Sequence, residues 1–397
     1  MSFIAGMKTR TAISSIAFAL LLVTLAVNVS MPLFQIYAEQ AHFGTGKTAL
    51  VLAAYIGGML PSYIFLGGIS DRLGRKPVLL LSVAFAFAST ALITWHPSIG
   101  MLPWARVCQG IALALSMGTG TAYMAELLPL DQMHQAANKA SLSTAIGFSG
   151  GALATTIALA WSFSLTPISY FILLIVTGIG LMWLTKLPKV PKKGGALIRL
   201  PYFPSGCWSI HFSIGLCWAA TGTIIAILPA ELSVLGWTAY AGFCIVLINW
   251  SGAAIQWWVR RMNMAHALLV GYACIPIGFG IVVLGVYLDS LVAMLSGTLL
   301  CGLAAYGFSY VSGLSLIAIL SGHEKSRAVS GYMMTGYIGF GIPAIFLGYW
   351  ADYSGITTAL LGFEIILTLV TIYSIFLFFR FTKPALQAKI LSFNNGN

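Results

Sequence analysis

The sequence predicts an all-α integral membrane protein of twelve transmembrane helices, in two pseudo-symmetric six-helix halves with both termini cytoplasmic. Three observations carry this expectation. Of the 397 residues, 59% are hydrophobic and 7% are charged, against roughly 25% charged in an ordinary soluble domain. The apolar residues fall in runs of the ~20 residues that cross a bilayer. The basic residues gather in alternate loops. The nine acidic residues (Glu39, Asp71, Glu126, Asp131, Glu231, Asp289, Glu324, Asp352 and Glu364) are too few to solvate a globular surface of this size. A soluble enzyme and a disordered chain are thereby excluded.

Twelve apolar segments follow in order, each bounded by charge, Pro or Gly-rich punctuation. Segment 1 (11–38) follows Lys8 and Arg10. It exceeds a signal-peptide core and lacks a convincing small-residue cleavage site, so it reads as a first span. Segments 2 to 6 are drawn at 46–69, 78–95, 98–125, 140–162 and 166–185. Segments 7 to 12 are drawn at 207–231, 237–258, 265–287, 290–320, 327–350 and 355–380. Each must be helical, because hydrocarbon offers the backbone no hydrogen-bond partner. The runs are too uniformly apolar for barrel strands, which alternate.

With the N-terminus inside, all of the 20 Lys and Arg residues reach the cytoplasm except Lys47, outside, and Arg106, within segment 4. This bias fixes the topology. The net charge of +11 is therefore a topological signal, with attraction to anionic lipid as a by-product; nucleic acid is not an expected partner. The six cysteines lie mostly inside apolar runs without a C-x-x-C pair, and read as small buried hydrophobes. The six histidines (His42, His96, His134, His211, His266 and His323) form no spaced pair, so neither a metal site nor a membrane enzyme is expected. His211 and His266 sit near inner segment ends, where interfacial placement is expected.

The basic, Pro- and Gly-rich stretch 186–206 divides the chain into a bundle at 1–185 and a bundle with a short tail at 207–397. A repeat crosses it. The loop after segment 2 reads Gly67-x-x-x-Asp71-Arg72-x-Gly74-Arg75-Lys76, and the loop expected after segment 8 reads Gly252-x-x-x-Gln256-Trp257-x-Val259-Arg260-Arg261. Ile146-Gly147-Phe148 in segment 5 is echoed by Ile338-Gly339-Phe340 in segment 11. Paired halves of this kind mark secondary transporters, with the site at the repeat interface.

Polar residues line up at helical spacing in several segments. Thr24, Asn28, Pro32 and Gln35 share a stripe in segment 1; Arg106 and Gln109 do so in segment 4, Trp218 and Thr221 in segment 7, Asn249 and Gln256 in segment 8, and Tyr306 and Tyr310 in segment 10. Tyr337 lies near mid-depth of segment 11. Arg106 lies about eight residues into segment 4, ~12 Å deep at 1.5 Å per residue. An intramembrane charge is a functional candidate by default; the competing account is a structural arginine bonded to carbonyls of the first helix.

The stretch Gly67-Gly-Ile-Ser-Asp71-Arg72-Leu-Gly74-Arg75-Lys76-Pro77 closely resembles the signature loop of the major facilitator superfamily, and the twelve-helix layout is similar across nearly the whole chain. The resemblance implies that Gly67, Asp71, Arg72, Gly74, Arg75 and Lys76 form a conformational latch between the halves, with Asp71 near the N-terminus of helix 11, where a carboxylate is favoured. The bland alternative is a solvated, topology-setting turn. Arg106-x-x-Gln109-Gly110 is similar to the helix 4 motif of proton-coupled exporters in this superfamily, implying a coupling role for Arg106, Gln109 and Gly110. Gly147-Phe-Ser-Gly150-Gly151 keeps the glycines of the exporters' helix 5 motif and lacks its proline; close packing through small residues explains it equally. The family's cavity-lining helices would place Asn28, Gln35, Trp218, Thr221, Asn249, Tyr306, Tyr310 and Tyr337 around the substrate, though packing and interfacial roles stand beside this one.

The function expected on this basis is export of a small amphiphilic molecule, drug-like or a secreted metabolite, by alternating access and proton antiport across a bacterial inner membrane. The alternative is an uptake permease or facilitator for a small organic anion clamped by Arg106. A membrane enzyme or non-transporting scaffold is the third reading. The expected partners are the substrate, protons and the bilayer; the chain is expected to be monomeric, without cofactor or metal. No acid is clearly central. Glu364 alone lies well inside a segment, on a helix that is peripheral in the family.

Overall fold

The computed structural model describes residues 9–129 and 132–394. Lys8 and Asp131 lie outside these, as do the side chains of His134 and His323. Among the described residues every regular element is helical: α1 Thr9–Gln40, α2 Thr45–Phe65, α7 Trp208–Val234, α8 Tyr240–Val259, α9 Met264–Tyr287 and α10 Leu291–Leu320 among them. The others are α3 Arg75–Trp95, α4 Leu102–Glu126, α5 Met133–Trp161, α6 Ile168–Leu184, α11 Lys325–Ser354, α12 Ile356–Leu377 and α13 Lys383–Asn394. Among the described residues, 10 helices are long and apolar enough to cross a membrane. The helices at expected segments 4 and 6 are α4, which carries Arg106 and Glu126, and α6, which has 17 residues.

Local chemistry sets the helix ends. Asn263 caps α9 by accepting from Ala265 N and His266 N, and Ser290 caps α10 by accepting from Ala293 N. Gly74 at φ 102° and Gly355 at φ 88° take the left-handed turns ahead of α3 and between α11 and α12. Two departures from regular geometry matter later. α1 breaks after Asn28 and resumes through a 3₁₀ turn at Met31–Leu33. Pro32 causes this: it has no N–H and its ring crowds the carbonyl four residues back. α10 carries a π-helical stretch at Leu303–Ser309.

Two compact units are present: Met1–Ala41 with Ala54–Arg199, and His42–Ala53 with Leu200–Asn397. In lipid there is no hydrophobic force between helices, so contact depends on close backbone approach. In the first unit, a Cβ at Gly147 or Gly151 of α5 would overlap Thr24 or the Leu25 carbonyl of α1. A Cβ at Gly58 of α2 would overlap the Val107 carbonyl of α4, and one at Gly110 the Tyr55 carbonyl of α2. Asn28 donates to the Phe148 carbonyl at 2.7 Å, joining α1 to α5.

The second unit repeats the device. A Cβ at Gly339 of α11 would overlap the Gly215 carbonyl of α7, and one at Gly222 of α7 the Phe340 carbonyl of α11. Gly252 of α8 and Gly302 and Gly307 of α10 bring those two helices together in the same way. The Ile-Gly-Phe echo is thus a packing repeat, α5 on α1 and α11 on α7. The other echo differs from expectation: Gly252 and Gln256 do not form a loop but lie within α8.

Candidate functional site

Arg106 is 1% exposed and belongs to the first unit. Its Nη1 donates to the Val27 carbonyl at 2.9 Å and to Gln109 Oε1 at 2.8 Å. Gln109 Nε2 donates to the Ala26 carbonyl at 2.8 Å. The Pro32 break explains these partners. A helix that ends at Asn28 leaves its last carbonyls without backbone donors, and two side chains from α4 supply them. The guanidinium also lies 4.5 Å from the Tyr55 ring centroid and 5.7 Å from that of Phe34, within cation–π range. The junction is a fixed cation in a socket of carbonyls and rings.

The second unit holds an aromatic cluster. Trp218 of α7 meets Tyr337 of α11 edge-on at 4.7 Å between centroids, and Tyr306 of α10 at 5.6 Å. Trp218 is 5% exposed, and its Nε1–H has no hydrogen-bond partner. A buried donor left in this way is costly. Tyr306 sits in the π-helical stretch, where the Tyr310 N–H bonds the Ala305 carbonyl. The Tyr306 carbonyl, which an α-helix would have paired with that N–H, instead accepts from Gln256 Nε2 at 3.0 Å. Gln256, which stands in the repeat where the first half has Asp71, is therefore a brace for the widened turn. π-bulges recur at functional sites.

A third group is ionic and lies in the first unit. Asp71 pairs with Arg75 at 2.5 Å and with Arg199. Arg75 also binds Glu126 at 2.8 Å and Ser70 Oγ at 2.6 Å, and Lys193 reaches Glu126 at 2.8 Å. The Asp71 carbonyl accepts from Lys193 N and Gly194 N at 3.1 Å each. Arg72 donates to the Gly195 carbonyl at 2.7 Å, and Lys76 to that of Thr185. Gly68 has no room for a side chain beneath Ala196. Residues 186–199 are held on this face by ions and backbone bonds alike.

Asp71→Asn is expected to loosen that strap. Two partly buried ion pairs are weakened, and a loss of about 1.4 kcal/mol in docking is a tenfold change in opening. Tryptic cleavage at Lys192 and Lys193 in the folded protein should quicken roughly tenfold; an unchanged rate would mean that Asp71 does not hold the strap.

The other expected cavity residues are placed as follows. Thr221 bonds carbonyls of its own helix at Cys217 and Trp218, and Asn249 donates to the Ile245 carbonyl at 2.8 Å. Tyr310 packs against the apolar group of Val259, Ala267, Phe308 and Val311. Gln35 donates to Glu39 at 3.0 Å. Glu364 accepts from Thr368 at 3.0 Å through Oε1, while its Oε2 is buried without a partner.

Two placements escaped the sequence reading. His211, expected at the interface, is 2% exposed; the Phe203, Trp208 and Tyr332 rings cover it, and Trp208, three residues before it, was the available signal, whereas Tyr332 lies far along the chain and left no local pattern. Asp352 accepts from Thr45 N at 2.7 Å and Gly46 N at 2.9 Å, capping α2 from the end of α11. The paired glycines Gly44 and Gly46 were the available signal, since both leave room for that carboxylate and its neighbour Tyr349.

A family model described as the Major Facilitator Superfamily matches residues 16–339. The chain is 30% identical over 129 residues to multidrug resistance protein D of Escherichia coli (strain K12), covering 32% of this chain and 31% of that one. The matches span 11% to 31% of the lengths of the first curated relatives. Among solved structures, a bacterial homolog to the human lysosomal transporter Spinster superposes with a TM-score of 0.72 at 13% identity, covering 96% of this chain and 98% of that one. The D-xylose-proton symporter also gives 0.72, at 14% identity, over 92% of this chain and 96% of that one. At these identities the structural likeness establishes a shared fold.

Proposed function

The chain belongs to the Major Facilitator Superfamily, and from that premise we propose that it exports a small amphiphilic molecule by alternating access, coupled to proton antiport. It works as a twelve-span monomer in a bacterial inner membrane, with both termini in the cytoplasm. The observation that carries the substrate class is the Trp218–Tyr306–Tyr337 cluster, where three rings meet beside an indole N–H that lacks an acceptor. Rings offer a flat apolar ligand contact area, and the N–H fixes one polar atom. The turn from Gly67 to Lys76 acts as the conformational latch. Arg106, Gln109 and Gly110 brace the junction through which coupling passes. The relative named for multidrug resistance favours export. An anion clamp at Arg106 has less support, because Nη1 is already engaged by Val27 and Gln109.

Purified protein in liposomes with an imposed pH gradient tests this with ethidium, chloramphenicol, norfloxacin, benzoate and D-xylose. The expected result is gradient-driven movement of one or more of the three aromatic drugs, abolished by Trp218→Ala. Transport of benzoate or D-xylose alone overturns the substrate class. Movement indifferent to the gradient overturns the antiport.

A further inference from the structure

A buried base that the transport reading does not use lies at the start of α7. His211 is enclosed by Phe203, Trp208 and Tyr332, with ring centroids at 5.1, 5.9 and 6.0 Å. Its Nδ1 stands 3.1 Å from Thr335 Oγ1 of α11. The Thr335 hydroxyl spends its own proton on the Gly331 carbonyl at 3.0 Å. Toward His211 it can only accept, so Nδ1 carries the ring proton. Nε2 is then a bare lone pair, and it has no hydrogen-bond partner.

We propose that His211 is a proton-binding site whose occupancy opens the box formed by Phe203, Trp208 and Tyr332. The neutral ring suits a dry enclosure. Adding a proton at Nε2 creates a cation whose new N–H faces ring surfaces and no acceptor. The ring faces hold such a cation in part, but a charge buried without a full set of partners favours water. Protonation therefore favours the opened box, and by linkage the opened box binds the proton more tightly. The titratable groups at this end of the surrounding elements are Tyr202 and Cys207 ahead of α7, Cys217 on α7, Lys325, Arg327 and Tyr332 on α11 and Tyr272 on α9, while Glu231 of α7 and Asp352 of α11 stand 20 residues along their helices from His211 and Tyr332. Tyr272 is committed to the Ser209 carbonyl and Tyr332 to that of Ser309. Arg327 turns to the Leu200 carbonyl at 2.9 Å and to Glu324 at 3.0 Å. None of the groups at this end is a carboxylate, and Glu324 just ahead of α11 is paired with Arg327, so the imidazolium is answered by the rings. For its role in transport the inference rests on the proton-antiport reading: uptake at His211 would supply a proton-dependent conformational step at the α7–α11 contact.

The test needs no substrate. Protein labelled with ¹⁵N-histidine is placed in lipid nanodiscs, and the resonance missing from His211→Gln identifies the ring. Amide exchange is followed in residues 200–212 and 327–336 across the same pH range, corrected for intrinsic rates. The expected neutral form carries its proton on Nδ1. On acidification Nε2 takes up a proton, and protection of both segments falls roughly tenfold. His211→Phe, which refills the box with a ring that cannot titrate, should fold and show no such fall. A ring that stays neutral down to about pH 5, or an equal loss of protection in His211→Phe, overturns the proposal. Failure of the antiport reading appears separately, as transport that ignores the pH gradient while His211 still titrates.

Discussion

Arg106→Met is expected to lower the unfolding free energy by about 3 kcal/mol, the loss of two hydrogen bonds from a charged donor at ~1.5–3 kcal/mol each, partly recovered by apolar packing. The Val27 carbonyl and Gln109 Oε1 would lose their donor in a junction from which water is excluded. Arg106→Lys keeps the charge but presents one compact ammonium in place of a planar fork, so an intermediate loss follows. Equilibrium unfolding in mixed micelles measures both. A Met variant as stable as wild type would mean that the carbonyls freed by the break in α1 do not depend on Arg106 for their donors. Transport measured beside stability separates the two roles. A Lys variant that folds but no longer moves substrate under a gradient supports a coupling role, whereas intact driven transport in a folded Met variant leaves only the structural one.

Gly339→Val is expected to be at least as damaging, because the obstacle is backbone. Its Cβ would meet the Gly215 carbonyl, which no rotamer change can move. α7 and α11 must separate, and overpacking of this kind costs about 3 kcal/mol or more when the backbone cannot yield. Gly147→Val should fail similarly against α1, where Thr24 and the Leu21 carbonyl stand in the way. The control is Gly57→Ala, which meets nothing within 4 Å and should be neutral or stabilising by up to ~1 kcal/mol through helix propensity. Its neighbour Gly58→Ala would strike the Val107 carbonyl and should destabilise. Thermal unfolding followed by size-exclusion of the detergent-solubilised protein reads all four. Equal behaviour of Gly57→Ala and Gly58→Ala would refute the packing described for α2 and α4.

The Ile-Gly-Phe echo was legible because one packing problem, a close α1–α5 or α7–α11 crossing, selects the same residue at the same place twice. The Gly252–Gln256 echo misled for the converse reason. Equal spacing of a glycine and a polar residue does not say whether they stand in a turn or within a helix, and Gln256 found its acceptor 50 residues along the chain at Tyr306. Arg106 was visible as a charge in an apolar run, but its partners were set by Pro32, which broke a different helix. Asp71 was visible as an acid in a signature turn, and the strap residue Arg199 that pairs with it lies 128 positions away. Trp218 and Tyr306 were singled out by helical spacing and Tyr337 by its depth, yet Tyr310, which fitted the spacing rule, packs against Val259, Ala267, Phe308 and Val311.

By itself the sequence determined the solvent, the helices and the family. Hydrocarbon forces every apolar run of sufficient length to satisfy its own backbone, and that requirement is local, so it is written along the chain. Tertiary structure alone decided which polar groups are spent on packing and which are left over. The Ala26 and Val27 carbonyls are spent on Gln109 and Arg106, and that of Tyr306 on Gln256. The Trp218 N–H and His211 Nε2 are left over. A hydrogen bond is satisfied by whichever group the fold carries within about 3 Å, and no local pattern in the chain records that distance.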